Sequence, residues 1–271
     1  MRLAGPGVWG PARDPDAAAA VLREAVRMGI NHFDTSDYYG PHTTNQLIRR
    51  ALHPYPQGLV LVTKVGFRRG ADRSWLPASS PQQLTEAIHD NLQNLGLEAI
   101  DIVNLRVGGG HGPTNASGEA AEEAAIAKPL AVLIDLQRQG LIRHLGLSNV
   151  TRRQVAVARS MTPIVCVQNQ YNLAHRTDDL LIDELAREGI AFTPFFPLGG
   201  FTPLQSSTLE ASAAALGATP MQVALAWLLQ RSPNILLIPG TSSVQHLSEN
   251  VAAAKLRLPP QVVADLDSIA T

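Results

Sequence analysis

Short apolar runs alternate with longer amphipathic segments along the whole of this 271-residue chain. The apolar runs predict eight strands, at residues 2–4, 30–34, 59–64, 100–105, 144–147, 165–168, 191–194 and 235–238. The amphipathic segments between them predict helices that begin near Pro15, Thr43, Ser80, Gly118, Thr151, Thr177, Ser207, Ser243 and Pro259. Repeated strand–helix units with almost continuously apolar strands favour a parallel sheet closed into an α/β (β/α)8 TIM barrel.

The competing architecture is a doubly wound open sheet. In a dinucleotide enzyme, that fold normally carries Gly-x-Gly-x-x-Gly between its first strand and first helix. Residues 5–10 occupy this place, and they make a poor match because they include Pro6. No linker or break in composition divides the chain, so we predict a single barrel domain over residues 1–271.

Composition narrows the class of protein. Hydrophobic residues make up 45% of the chain and charged residues 17%, which is enough apolar material for a large core. The net charge of −1 gives no reason to expect nucleic acid or an anionic membrane as a partner. No obligate protein partner is evident in the sequence. The single cysteine, Cys166, excludes a disulfide within the chain, and no signal peptide is evident at the start. A cytoplasmic enzyme with a small-molecule substrate and no metal is expected.

Three polar residues stand at the ends of two predicted strands. Asp34 closes one strand, Tyr39 follows five residues later, and Lys64 closes the next strand. Adjacent strand ends of a parallel barrel converge on one site. An ammonium beside a phenol stabilises the phenolate, and a carboxylate behind the ammonium keeps it charged. The pattern therefore predicts a phenol that donates a proton to a carbonyl oxygen.

These residues resemble the aldo-keto reductase family, and the resemblance covers nearly the whole chain. The family's motif is matched by Asp34-Thr35-Ser36-Asp37-Tyr38-Tyr39-Gly40 and by Lys64. The resemblance implies a barrel that binds a nicotinamide cofactor, with Asp34, Tyr39 and Lys64 as catalytic residues. Family members usually begin with a hairpin that closes the barrel floor, and this chain is expected to lack it.

The family's fourth catalytic residue, a histidine, is replaced here by Arg106. A guanidinium is permanently charged and offers five hydrogen-bond donors. Four interpretations are open: Arg106 polarises the carbonyl, it lowers the pKa of Tyr39 further, it holds an anionic group of the substrate, or it reflects a loss of activity.

The resemblance also implies where a nicotinamide cofactor binds. It assigns the carboxamide to small polar residues at two strand ends, namely Ser148, Asn149 and Gln168. It assigns the ring and pyrophosphate to Phe195, Pro197, Leu198, Gly199 and Gly200, and the adenosine phosphate region to Gly240, Thr241, Ser242, His246, Glu249 and Asn250. Many members carry a lysine or arginine in this last region to select NADP, whereas this chain has Gly240, Thr241 and His246 there. NADPH as cofactor is therefore expected from the family resemblance and not from these residues.

Longer segments of the chain, such as residues 194–207 and 217–227, are similar to a bacterial branch of the family, the pyridoxal reductases. The implied reaction is the reduction of pyridoxal to pyridoxine by NADPH, with Tyr39 as general acid. A reductase of broad specificity for aldehydes and ketones is the main alternative. A cofactor-binding regulatory subunit with vestigial activity is a third.

Overall fold

The computed structural model describes residues 3–108, 119–199 and 206–270. The chain divides into two compact units, each with its own buried apolar residues. The first unit contains Met1–Gln168 and Gly240–Val244, and the second contains Asn169–Pro239 and Gln245–Thr271.

The first unit is built on a parallel sheet with one antiparallel strand at its side. Its strands are β1 (His32–Asp34), β2 (Val60–Arg69), β3 (Trp75–Ala78), β4 (Ile100–Arg106), β5 (Ile142–Ser148) and β6 (Ile164–Gln168). The parallel order is β1-β2-β4-β5-β6, while β3 folds back on the end of β2. Apolar residues fill both faces of the central strands, as in parallel sheets covered by helices.

Among its described residues the first unit also contains five α-helices, three of which carry at their N-termini the capping signals that the sequence shows. They are α1 (Pro15–Arg27), α2 (Thr43–Leu52), α3 (Pro81–Leu95), α4 (Glu119–Arg138) and α5 (Arg152–Met161). Asp14 accepts hydrogen bonds from the first turn of α1, and Ser80 and Thr151 form capping boxes at α3 and α5. Such caps satisfy backbone N–H groups that have no partner within the helix.

The second unit is mainly helical. It contains α6 (Asp179–Arg187), β7 (Ala191–Phe192), α7 (Ser207–Leu216), α8 (Pro220–Arg231), α9 (Val244–Ala252, whose first residue falls in the first unit) and α10 (Pro260–Asp267). Its mainly aliphatic core includes two aromatic rings, those of Tyr171 and Trp227, which stack with centroids 6.0 Å apart. The Tyr171 hydroxyl donates a hydrogen bond to Asp179, which also pairs with Arg231.

Several predicted elements differ from the structure. Residues 235–238 form only an isolated bridge, between Phe192 and Ile235. Leu3 and Ala4 are not in a strand, because the chain turns at once through Pro6–Val8, while residues 1–2 lie outside the described residues. The helix start predicted at Gly118 is also outside them. Strand β3 and the separate start of α8 were not predicted. Among the described residues no single helix is long and apolar enough to cross a membrane, and α7 and α8 pass that test only as a pair bent by 92°.

Candidate active site

A buried ion pair lies at the ends of the first two strands. The Lys64 ammonium donates hydrogen bonds to Asp34 Oδ1 at 2.6 Å and to the Thr35 carbonyl at 3.0 Å. The two side chains are only 11% and 5% exposed, respectively. Burial disfavours the ammonium, but the Asp34 carboxylate and, to a smaller extent, Tyr39 outweigh it and raise the pKa of Lys64. Lys64 is therefore a fixed positive charge at neutral pH.

The Lys64 ammonium lies 5.6 Å from the centre of the Tyr39 ring. Tyr39 stands on a tight turn, in which its own N–H donates to the Ser36 carbonyl at 2.9 Å. The next residue, Gly40, has a φ of +74°, and a Cβ there would lie 2.6 Å from the Gly10 carbonyl oxygen. Only glycine fits such a position without strain, so the turn that presents the phenol depends on it.

Buried amides and hydroxyls form a hydrogen-bond network that anchors this turn. Asn45 accepts a hydrogen bond from the Thr35 hydroxyl at 2.8 Å and donates to Asp37 at 3.0 Å and to Asn91 at 2.9 Å. Asn91 also accepts from the Thr63 hydroxyl at 2.5 Å. The network joins Thr63, the residue before Lys64, to Thr35 and Asp37, which precede Tyr39 in the turn. It therefore fixes the two functional side chains with respect to each other.

The same network includes the buried carboxylate of Asp37, two residues before Tyr39. Asp37 Oδ2 lies 2.5 Å from His42 Nδ1, and Asp37 Oδ1 also accepts from Asn94 at 3.0 Å. Burial is the main cause of a raised pKa for Asp37, although His42 and Asn94 act against it. Asp37, His42 and Asp90 form a cluster whose potential metal-ligand atoms lie within 4.8 Å of one another. Hydrogen bonds already occupy both oxygens of Asp37, so we assign it a structural part.

Arg106 ends β4 beside this site. Its Nε donates to the Gly108 carbonyl at 3.2 Å, and its Cζ lies 4.9 Å from the Phe67 ring centre and 5.0 Å from that of Trp75. Burial lowers the pKa of Arg106, and the electrostatic influence of Tyr39 partly offsets this. The structure therefore brings Asp34, Tyr39, Lys64 and Arg106 into one site.

Three predicted cofactor residues lie at the ends of β5 and β6. Gln168 Nε2 donates to Asp34 Oδ2 at 3.0 Å, so this glutamine touches the ion pair directly. Asn149 has a φ of +60° and donates through Nδ2 to the Gly108 carbonyl at 2.9 Å. Ser148 is buried and stands opposite both Arg106 and Gln168 in the strand register. The parallel sheet thus collects at one edge residues that are far apart in the sequence.

The Oε1 atom of Gln168 is buried and accepts no hydrogen bond from the described part of the chain. A buried acceptor without a donor costs about 1–3 kcal/mol. A primary amide supplies the missing donor. Ser148 pairs with Gln168 in the strand register, and the Asn149 N–H donates to the Gln168 carbonyl at 3.0 Å. The residues present therefore fit the carboxamide of a nicotinamide cofactor.

The other predicted cofactor residues fall in two places. Gly240, Thr241 and Ser242 belong to the first unit, where the Thr241 hydroxyl accepts from the Ser243 N–H at 3.0 Å, just before α9. Phe195, Pro197, Leu198 and Gly199 belong to the second unit, as do His246, Glu249 and Asn250 on α9. Gly200 lies outside the described residues.

Within the second unit, these residues are held by local contacts. The Phe195 ring meets the Phe196 ring edge-on, with centroids 5.3 Å apart, and the Phe195 N–H donates to the Asn169 carbonyl at 2.9 Å. Gly199 has a φ of +86° and donates to the Phe196 carbonyl. Glu249 accepts from Gln245 one turn earlier on the same helix.

Sequence analysis missed two site residues, Phe67 and Trp75. Both lie on the hairpin of β2 and β3, because β2 runs past Lys64 as far as Arg69. The turn residues Gly70 and Asp72, followed by Trp75, were the available signal for a second strand.

Comparison with known proteins identifies the family. The model of the Aldo/keto reductase family matches residues 4–271. Pyridoxine 4-dehydrogenase of Escherichia coli (strain K12) is 65% identical over 271 residues, which is 99% of this chain and 92% of that protein. An uncharacterized oxidoreductase of Schizosaccharomyces pombe (strain 972) is 38% identical over 98% of this chain and 83% of its own length.

Solved structures agree with the predicted fold class. A thermostable aldo-keto reductase in complex with the inhibitor epalrestat has a TM-score of 0.77 and 29% identity, over 99% of this chain and 95% of its own. An aldo/keto reductase from Klebsiella pneumoniae, in complex with NADP and acetate, has a TM-score of 0.77 at 22% identity, over 99% and 91% of the two chains. The α/β barrel fold class is thereby confirmed, and the chain belongs to the aldo/keto reductase family of oxidoreductases.

Proposed function

We propose that this chain interconverts an aldehyde and its alcohol with NADPH as cofactor, and that its preferred reaction is the reduction of pyridoxal to pyridoxine. The observation that carries the reaction type is the Lys64 ammonium, hydrogen-bonded to Asp34 at 2.6 Å and placed 5.6 Å from the Tyr39 ring. The 65% identity to pyridoxine 4-dehydrogenase over 99% of the chain supports the choice of substrate.

Tyr39 is the general acid of this mechanism. Its hydroxyl gives a proton to the carbonyl oxygen as the alcohol forms, and takes it back when the alcohol is oxidised. The ammonium of Lys64 stabilises the phenolate that remains, and Asp34 keeps that ammonium charged and in place. The Arg106 guanidinium adds a second, permanent positive charge to the site, where it stabilises the negative charge that develops on the oxygen.

In this proposal, Ser148, Asn149 and Gln168 bind the carboxamide of the cofactor, and Gln168 Oε1 accepts a hydrogen bond from its amide nitrogen. A bound reduced nicotinamide supplies the hydride that adds to the aldehyde carbon. The hydrogen bond from Gln168 Nε2 to Asp34 couples carboxamide binding to the Lys64–Asp34 pair. We also propose that residues 1–271 form a single barrel domain, which the family match over residues 4–271 supports. The remaining proposed cofactor residues are Phe195, Pro197, Leu198, Gly199, Gly200, Gly240, Thr241, Ser242, His246, Glu249 and Asn250.

The cofactor preference and the cellular compartment also belong to this proposal. We propose NADPH because the Klebsiella pneumoniae protein of the same fold binds NADP. The lone, buried Cys166 suits a reducing cytoplasm, where proteins rarely build disulfides. The partner molecule is a small carbonyl compound.

The decisive experiment compares two neighbouring tyrosines. NADPH oxidation with pyridoxal is measured for wild type, Tyr39→Phe and Tyr38→Phe. Removing a general acid lowers kcat by about 10²–10⁴-fold, so Tyr39→Phe should be nearly inactive while NADPH still binds. Tyr38→Phe removes the same hydroxyl one residue away and should retain most of the activity. If Tyr39→Phe keeps most of its rate, the acid is wrongly assigned.

A substrate panel separates the remaining functions. A kcat/KM for pyridoxal well above that for benzaldehyde-type compounds supports the proposed substrate, while equal values favour a reductase of broad specificity. Tight NADPH binding without turnover on any carbonyl compound would overturn the proposal in favour of a regulatory subunit.

A further inference from the structure

Arginines and aromatic rings alternate from the N-terminal segment to the active site. The Cζ of Arg73 lies 5.7 Å from the centre of the Trp9 ring, and that of Arg69 lies 5.3 Å from the same ring. Arg69 is also 4.8 Å from the Trp75 ring. Trp75 is in turn 5.0 Å from Arg106. We call these five residues the cation–π ladder, and all of its cation-to-ring distances fall within the range of about 6 Å for attraction.

Trp75 is the step of this ladder that reaches the active site. It stands at the start of β3, paired with Arg69 across the hairpin, and its ring contacts both the Arg69 and the Arg106 guanidinium. An indole is the aromatic ring that binds cations best. A second ring, that of Phe67, lies 4.9 Å from the Arg106 Cζ.

The surroundings of Arg106 leave its guanidinium little freedom. Its Nε is hydrogen-bonded to the Gly108 carbonyl at 3.2 Å, and two aromatic rings lie within 5 Å of its Cζ. An unrestrained arginine loses much rotamer entropy when it grips a ligand, and restraint before binding removes that loss. A charged group held in advance at the right place is also the most effective way to stabilise developing charge.

We propose that Trp75 is a positioning residue for the carbonyl site: by contacting the Arg106 guanidinium, it holds the charge where the substrate binds, so that the β2–β3 hairpin sets the affinity for the aldehyde. This inference rests on the function proposed above, and it gives the hairpin a part in substrate specificity. Trp75 acts through Arg106 and not on the reacting atoms.

The first test compares two tryptophans of the ladder. Trp75→Leu removes the ring beside Arg106, and Trp9→Leu makes the same chemical change at the far end, where the ring contacts Arg69 and Arg73. With pyridoxal as probe, Trp75→Leu should lower kcat/KM by about 3- to 30-fold, mainly through KM for the aldehyde, whereas Trp9→Leu should change it by less than about 2-fold. The KM for NADPH should be unchanged, and Trp75→Phe, which keeps a ring, should recover most of the loss.

The second test is a double-mutant cycle with Arg106→His. If Trp75 acts through Arg106, Trp75→Leu should have almost no effect on kcat/KM in the Arg106→His background, because the group it positions is gone. Equal losses in both backgrounds, or an unchanged KM in Arg106→His alone, would overturn the inference. Thermal unfolding of each variant shows whether the fold is intact, and Trp75→Phe provides the comparison if Trp75→Leu does not fold.

Failure of this inference and failure of the proposed function give different results. A wild-type protein that reduces no carbonyl compound contradicts the proposed function itself. The wild type could instead be active and depend on Tyr39, while the effects of Trp75→Leu and Arg106→His add without coupling. That result would leave the proposed reductase function unchanged and would contradict only the positioning role of Trp75.

Discussion

Replacing Lys64 by methionine should separate the structural part of the ion pair from its catalytic part. Methionine is similar in length and uncharged, so among the described side chains the change leaves the Asp34 carboxylate with the Gln168 Nε2 donor at 3.0 Å. Because the Asp34 side chain is only 5% exposed, water has little access to take the place of the ammonium. Breaking a buried pair by removing one partner costs about 3–5 kcal/mol, and we expect about 3 kcal/mol because one donor remains.

The double variant Asp34→Asn/Lys64→Met tests whether the unpaired buried charge is the cause of the lost stability. Removing both charges together avoids an unpaired buried charge, so its free energy of unfolding should return to within about 1–2 kcal/mol of wild type. Urea unfolding followed by circular dichroism measures these differences, with equal m-values as the check for a common unfolding reaction. Reductase activity should be lost in both variants. A loss below about 1 kcal/mol in Lys64→Met, or a double variant less stable than either single variant, would refute the reasoning.

The same pair gives stability a defined dependence on pH. The pKa of Lys64 is raised in the folded state above its ordinary value of 10.5. A group of this kind contributes its full stabilisation below the unfolded pKa and loses it as the pH rises through the folded pKa. The stability of wild type relative to Asp34→Asn/Lys64→Met should therefore be constant from neutral pH to about pH 10 and decline above 10.5.

Three further results are expected. Gly66→Ala should destabilise the fold more than Gly29→Ala in thermal melts. Both glycines have a positive φ, but only a Cβ at Gly66 would meet backbone, 2.3 Å from a carbonyl oxygen of β4. Equal losses of stability would contradict this reasoning. Asn91→Leu should cost about 2–5 kcal/mol in urea unfolding, since it removes the acceptor of the buried Thr63 hydroxyl and the acceptor of one N–H of the buried Asn45 amide, which keeps its bond to Asp37. Burial raises the pKa of Cys166 to about 12, so the thiol of the native protein should resist iodoacetamide near pH 8. Labelling is measured by mass spectrometry, and rapid labelling would argue against that burial.

Local patterns in the sequence were sufficient to predict many of the strands and helices. The apolar runs around β2, β4, β5 and β6 predicted strands because parallel strands buried on both faces need continuous apolar side chains. The caps at Ser80 and Thr151 placed the starts of α3 and α5, since capping acts within four residues of the chain. Residues 235–238 looked equally apolar, but the same pattern gave only one bridge there, because a strand also needs a paired neighbour.

The sequence by itself therefore determined the alternation of strands and helices and the presence of an acid, a tyrosine and a lysine at two strand ends. Only the tertiary structure decided which polar atoms meet. The hydrogen bond from Gln168 to Asp34 joins residues 134 positions apart, and the contact between Trp75 and Arg106 depends on a hairpin that extends β2 beyond its predicted end. The physical reason is range: helix caps and strand periodicity act between near neighbours in the chain, whereas charge pairing, ring contacts and buried amides depend on distances in space that the strand register sets.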